Sequence, residues 1–257
     1  MKTITFNAPK SLENIELHIL ADEHIGDPHT DLDGLLRRID YIEKTPNAFA
    51  LLNGDLMNNA TTTSVSDTYG ETMNPDSQID YVVDNFGRIK NKIVGATSGN
   101  HEFRTYKMDG IDPTKTICDR LGIIDKYSPN GLFIFIKMVK DGGKKSDRIQ
   151  YSLYMTHGSG GGRKEGAKAI RLADMASIVD ADIYIHSHTH LPMVFKEGFF
   201  RSNIQLNQVT PVTKLFVNSS ANQAYAGYGQ AAEFKPIAIA HPITYLNGNE
   251  KVFNTLL

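Results

Sequence analysis

The residues able to do chemistry fall in five short clusters: Asp22-x-His24, Gly54-Asp55, Gly99-Asn100-His101-Glu102, Thr156-His157-Gly158 and His188-x-His190. Together they offer carboxylate, imidazole and amide donors, a set suited to manganese, iron or zinc rather than to calcium or magnesium alone. There are enough donors for two cations. Cations a few ångströms apart need a ligand that spans both, and the carboxylate of Asp55 is the candidate. Such a pair depresses the pKa of a shared hydroxide, giving a nucleophile at neutral pH that suits in-line attack on phosphorus. The stretch IYIHSHTHLP raises the question of ligand choice, because His186, His188 and His190 alternate and would share one face of a strand.

Each cluster follows a run that reads as a strand. Ile15, Leu17, Ile19 and Leu20 lead into "DEHIGDPH", and "NAFALLN" leads into "GDLMNN". Between them Leu32, Leu35, Leu36, Ile39 and Ile42 recur at helical spacing, with Thr30 or Asp31 as N-cap. The pattern repeats as Ile79, Val82, Val83, Phe86 and Ile89 precede "KIVGATS" and then "GNHEFR". After a short helix opened by Asp112-Pro113, residues 131–139 and 148–156 read as a hairpin that empties into "HGSGGGRK". A helix over 163–179, the strand "ADIYI" and at least three strand-like runs beyond Pro192 complete the chain. Buried strands flanked by helices predict a layered α/β architecture with ligands at the carboxyl ends of the strands.

The length of 257 residues, 40% hydrophobic and 22% charged, fits one large domain over 1–257. A formal net charge of −2 excludes a globally basic surface, so contact with nucleic acid would have to be local. Cys118 is the sole cysteine, which excludes an intrachain disulfide and a thiolate zinc cluster. The opening "MKTITFNAPK" has no apolar signal region, and the longest apolar run, Leu132 to Ile136, is too short for a membrane span. A cytoplasmic protein with no membrane partner is the expectation.

In order, D-x-H, G-D, G-N-H-E, H-G and H-x-H resemble the metallophosphoesterases of the calcineurin-like superfamily, from Asp22 to His190. The resemblance implies an α/β fold, a four-layer α-β-β-α sandwich of two packed mixed sheets flanked by helices. It assigns Asp22, His24 and His190 to one metal and Asn100, His157 and His188 to the other, with Asp55 bridging. His101 matches the family's catalytic histidine, which protonates the leaving alcohol oxygen or stabilises its charge, and Asn100 helps neutralise charge on the phosphoryl oxygens. Manganese is the first expectation for both metals, with iron, zinc or magnesium as alternatives. Two positions depart from the pattern. Relatives that dephosphorylate proteins read G-D-x-x-D-R, whereas Asn58 stands here in place of the second Asp, and Ser187 replaces the usual Gly before H-x-H.

The reading is therefore a dinuclear metal-dependent phosphoesterase, acting through a metal-bridging hydroxide with His101 as general acid. "LADEHIG" resembles the opening motif of the superfamily's repair nucleases, which with Asn58 favours a phosphodiester in DNA, RNA or a nucleotide. The alternatives are a phosphomonoesterase for small phosphates or phosphoproteins, and a noncatalytic metal-binding scaffold. His186 is expected to be satisfied by an ordinary neighbour, as are His18, His29 and His241. Arg104 either reaches a substrate phosphate or forms a surface salt bridge. The polar insertion between Met57 and Asp76 is expected to cover the substrate. The glycine-rich run 158–164, the basic turn within 137–148 and the pair Tyr225 and Tyr228 are further candidates for anion, phosphodiester backbone and base contacts. Each has a plainer reading as a connection, a solvated tip or a packing contact.

Overall fold

The computed structural model describes every residue except 63, 140–147, 163 and 232, and the side chains of 228 and 231 also lie outside the description. The basic turn, Arg163 of the glycine-rich run and the Tyr228 side chain are therefore outside the described residues. In chain order the strands are β1 Lys2–Asn7, β2 Asn14–Leu20, β3 Ala48–Asn53, β4 Ile93–Thr97, β5 Tyr127–Ser128 and β6 Leu132–Val139. They continue with β7 Arg148–Met155, β8 Ile183–His186, β9 Met193–Asn203, β10 Gln208–Asn218, β11 Ile243–Asn247 and β12 Phe253–Leu256. The helices are α1 Leu32–Lys44, α2 Pro75–Phe86, α3 Asn100–Asp109, α4 Pro113–Arg120, α5 Glu165–Ala173 and α6 Gly227–Ala231.

These strands form two six-stranded sheets, ordered β1-β6-β7-β8-β10-β9 and β12-β11-β2-β3-β4-β5. Both are mixed: β2 through β5 run parallel with β11 reversed, and β7, β8 and β10 run parallel with β6 and β9 reversed. Alternation along each strand builds three apolar layers. Leu17, Ile19 and Leu51 meet Ile134, Leu153, Ile185 and Val217 between the sheets. Leu20, Ala50 and Leu52 turn the other way onto Leu35, Ile39, Val82 and Phe86 of α1 and α2. Tyr154, Tyr184 and Phe216 pack under Leu172 and Met175 on the opposite outer face. The result is the expected α-β-β-α sandwich. Strands buried on both faces read as near-continuous apolar runs for this reason.

Local signals place the helices. Asp31 caps α1 by accepting from Gly34 N at 2.8 Å, and Asn74 caps α2 with Pro75 at its first position. The helix expected over 163–179 ends sooner, at Ala173, and its last turn tightens into a 3-10 helix over Asp174–Ser177.

Candidate metal centre

Parallel β2, β3 and β4 in one sheet and parallel β7, β8 and β10 in the other point their carboxyl ends at one edge of the sandwich. Immediately beyond those ends the chain turns sharply. Among the described residues eight non-glycine residues have positive φ, and five of them are Asp22 (53°), His24 (47°), Asp55 (48°), His188 (62°) and His190 (58°). Left-handed backbone at a non-glycine residue is strained, and such strain gathers at functional sites.

Hydrogen bonds hold these turns in place. Asp22 N donates to Gly54 O at 3.1 Å and His24 N to Asp55 O at 3.0 Å, which ladders the first two loops together. The buried Glu102 carboxylate accepts from Asp55 N (3.0 Å), Gly99 N (3.1 Å) and Met57 N (3.1 Å). A side chain at Gly99 would place its Cβ 2.2 Å from Asp55 N, so only glycine allows this approach. Asn53 spans the sheets: its Nδ2 donates to Thr156 O (2.9 Å) and Ser187 Oγ (2.7 Å), while its Oδ1 accepts from Thr97 Oγ1 (2.8 Å).

Two donor sets result. In the first, His190 Nε2 lies 3.3 Å from both His24 Nε2 and Asp22 Oδ1. In the second, Asn100 Oδ1 lies 3.0 Å from His157 Nε2 and 2.6 Å from His188 Nδ1, and Asp55 Oδ2 is 3.1 Å from His157 Nε2. Within each of the triads Asp22–His24–His190, His24–Asp55–His101 and Asp55–His157–His188 the donor atoms lie within 4.8 Å of one another. Asp55 thus belongs to both sides of the site. Its Oδ1 accepts from His101 N at 2.8 Å, which leaves Oδ2 facing the imidazoles.

The residues fit one or two divalent cations. Asp22 and Asp55 are buried carboxylates, and the Asp22 Oδ1 that faces His190 accepts no hydrogen bond. Burial, reinforced by neighbouring imidazoles, lowers the pKa of His24 and takes that of His188 down to about 4, which keeps both rings in the neutral form that ligates metals. Burial acts the same way on His157, but Asp55 foremost, with Asp22 and the Asn53 carbonyl, together outweigh it and push this imidazole up to about 10. Asp55 is correspondingly held well below the usual carboxylate range: His157 and then His101 overcome its burial. The field at the centre of the site therefore attracts positive charge.

His101 opens α3 beside these sets. Its Nδ1 donates to the main-chain carbonyl of Asn58 at 2.7 Å, while the Asn58 side chain turns away to Glu71 at 2.9 Å. The ring is held from the expected position, but by backbone rather than by the amide. Among the described residues Arg104 forms no surface salt bridge; its guanidinium turns toward the site. Its Nη2 donates to His101 Nε2 at 2.9 Å and its Nη1 to Asn58 O at 3.2 Å and Ser66 Oγ at 3.0 Å. Ser66 belongs to the polar insertion, so that segment touches the site through Arg104. Glu71 anchors the insertion by accepting from Asn58, Ala60 N and Gln78. His186, the last residue of β8, pairs its Nδ1 with Asn218 Oδ1 at 2.9 Å.

The sequence of residues 24–192 matches the Calcineurin-like phosphoesterase family, and the chain belongs to that family. Solved structures of similar shape include vacuolar protein sorting 29 from Cryptosporidium parvum, at 15% identity over 95% of this chain and 96% of that one, TM-score 0.46. A metallophosphoesterase from Sphaerobacter thermophilus matches at 13% identity over 95% and 89% of the chains, TM-score 0.42. Calcineurin-like phosphoesterase YfkN from Bacillus subtilis matches at 13% over 94% and 87%, TM-score 0.40. No curated protein matches the chain. Among the described residues no helix is long and apolar enough to cross a membrane.

Asn53, Ser219 and Arg38 lie outside the five clusters, and Glu23 is the middle residue of the first. Glu102, within the G-N-H-E cluster, serves as a buried acceptor for the loop backbone. Ser219 Oγ donates to Asp22 Oδ2 at 3.2 Å, and Arg38 meets the fully buried Glu23 through two bonds of 2.9 and 2.6 Å. Glu23 and Glu102 adjoin the motif histidines, and a carboxylate in a buried run is a signal for a buried partner.

Proposed function

We propose that the chain is a dinuclear metal-dependent phosphoesterase acting on phosphodiesters of the nucleotide or nucleic-acid class. The observation that carries this reading is the convergence of two buried carboxylates, four imidazoles and the Asn100 amide at one sandwich edge. Asp22, His24 and His190 would hold one cation and Asn100, His157 and His188 the other, with Asp55 serving both. Divalent ions there, manganese foremost, would offset the charge of the phosphoryl oxygens and lower the pKa of a water to near neutrality.

The chain's own residues supply the rest. Asn53 O accepts from His157 Nδ1 at 2.8 Å, which fixes the tautomer that presents Nε2 to the site. His101, held through Nδ1 by the Asn58 carbonyl, would serve the leaving oxygen through Nε2. A proton on Nε2 requires Arg104 to release that atom, and the freed guanidinium is suited to a phosphoryl oxygen. A neutral carbonyl at Asn58 stabilises an imidazolium less than a carboxylate would, which favours the diester over the phosphoprotein reading.

His101→Asn tests the mechanism. The variant is expected to bind two manganese ions by calorimetry while turnover falls by about 10²–10⁴, the usual worth of general acid catalysis. Full activity on an ester with a poor leaving group would overturn the role of His101. Asp55→Asn is expected to abolish the rise in melting temperature on adding manganese. Strong preference for mono- over bis-nitrophenyl phosphate would move the chain to the monoesterase reading, and intact metal binding without turnover of either would leave the scaffold.

A further inference from the structure

Helix α3 begins in the metal centre and runs out of it. Three and seven residues beyond Asn100 stand Phe103 and Lys107, on the same stripe of the helix as that amide. Phe103 is 40% exposed and Tyr106 49%, and their rings stack on each other with centroids 5.3 Å apart and planes at 20°. Lys107 Nζ lies 5.3 Å from the Phe103 centroid. Both rings line a cleft of about 990 Å³, at the upper end for pockets that take small molecules. Its other walls include Ser98, Asn130, Asp112 and Asp119. Ser98 directly precedes Gly99-Asn100, and the Asn130 carbonyl accepts from Thr156 Oγ1 at 2.7 Å, beside His157. The cleft thus adjoins both sheets' contributions to the donor cluster.

A stacked aromatic pair facing solvent beside a phosphate-handling centre matches a ligand with a flat aromatic body one short spacer from a phosphate. Every nucleobase offers such a face. The charge of the lining decides between a free nucleotide and a strand. Asp112 and Asp119 offset Lys115 and the neighbouring Lys107, so the cleft has no basic surplus to draw additional phosphates. Asp112 is engaged by Lys115 N and Tyr127 OH, while the Asp119 carboxylate can accept from sugar hydroxyls and exocyclic amines. We propose that the α3–α4 cleft is a nucleobase subsite with Phe103 and Tyr106 as its stacking platform, so that the substrate is a mononucleotide ester. This rests on the phosphoesterase reading above.

The test compares ligands that differ only in the base. With manganese present, calorimetry on the whole chain is expected to show adenosine 5′-monophosphate binding about tenfold or more tighter than ribose 5-phosphate. Phe103→Ala and Tyr106→Ala should each collapse that ratio, and Phe103→Tyr should retain it. In turnover, the p-nitrophenyl ester of thymidine 5′-monophosphate should exceed methyl p-nitrophenyl phosphate in kcat/KM, with the ratio falling in the same variants. A ratio near one in the unaltered protein, an equal loss for both ligands in Phe103→Ala, or tighter binding of a ten-residue oligothymidylate would each overturn the proposal. So would a change of oligomeric state in Phe103→Ala with the ratio intact, which would make the rings a contact between copies. If neither ester turns over, the phosphoesterase reading fails while the calorimetric ratio still decides the subsite.

Discussion

Asn53→Leu removes one amide from the join between the two sheets while nearly conserving volume. The native amide satisfies Thr156 O, Ser187 Oγ and Thr97 Oγ1 at 2.9, 2.7 and 2.8 Å. A buried polar group left without its partner costs about 1–3 kcal/mol, so three give a ceiling of about 9 kcal/mol. The two hydroxyls can rotate toward nearby backbone, which keeps the sum in the lower half, and the added apolar burial recovers about 1 kcal/mol. The expected loss is about 2–4 kcal/mol, a large fraction of a typical domain's stability but short of unfolding. Urea titration should show it as a lower midpoint at unchanged slope. Manganese affinity should fall by about 10–100-fold, because the same substitution loosens the strand ends that aim His157 and His188. A control, Thr97→Val, removes one of the three bonds and should cost about 1 kcal/mol, with clear coupling in the double variant. A midpoint shift worth less than about 1 kcal/mol in Asn53→Leu would refute the claim that this amide joins the sheets.

Arg38→Met strands the Glu23 carboxylate, which is fully buried beside Asp22, and should cost about 3–5 kcal/mol at pH 8. Burial already raises the Glu23 pKa, so the deficit should shrink when the urea midpoint is measured at pH 5, where protonation relieves the charge. Burial, with Arg38 adding to it, lowers His241 to about 3, so between about 3 and its unfolded value near 6.5 the unfolded chain binds the extra proton. Stability from this residue is present above that window and is lost as pH falls through it, by up to about 1.4 kcal/mol per unit. His241→Gln should flatten the fall in urea midpoint between pH 7 and pH 5, and an unchanged slope would refute the assignment.

The five clusters were legible because each lies within a few residues of a strand end, where local pattern announces both the strand and its exit. Helical faces such as Leu35, Ile39 and Ile42 were legible for the same reason: periodicity is local. What joins the clusters was not. Asn53 meets Ser187 across 134 residues and Ser219 meets Asp22 across 197, and no local signal pairs such positions. Asn58 shows a further limit. Its place beside His101 follows from motif spacing, but the bond comes from its carbonyl, an atom every residue possesses. Arg104 stands three residues after His101 on α3, and its guanidinium donates to that imidazole, a bond that the helix start makes and that the motif alone does not announce.

The alternating histidines of IYIHSHTHLP show how backbone strain sorts side chains. A strand would send all three rings to one face. The chain instead leaves β8 at His186, whose ring is held by Asn218, and both His188 and His190 adopt left-handed φ. Between them Thr189 is buried and its Oγ1 accepts from Asn218 Nδ2 at 2.9 Å. His188 N donates to Asp22 Oδ2 at 3.1 Å while the His188 ring reaches Asn100, and the His190 ring turns back to Asp22 and His24. Two residues apart in sequence, the rings enter different donor sets. Five such left-handed residues at roughly 1–2 kcal/mol each oppose folding by an amount comparable to a domain's whole stability. That cost explains why the loops are bound so densely by Asn53, Glu102, Ser219 and Asn218: without those bonds the strained turns would relax and the two sets would come apart.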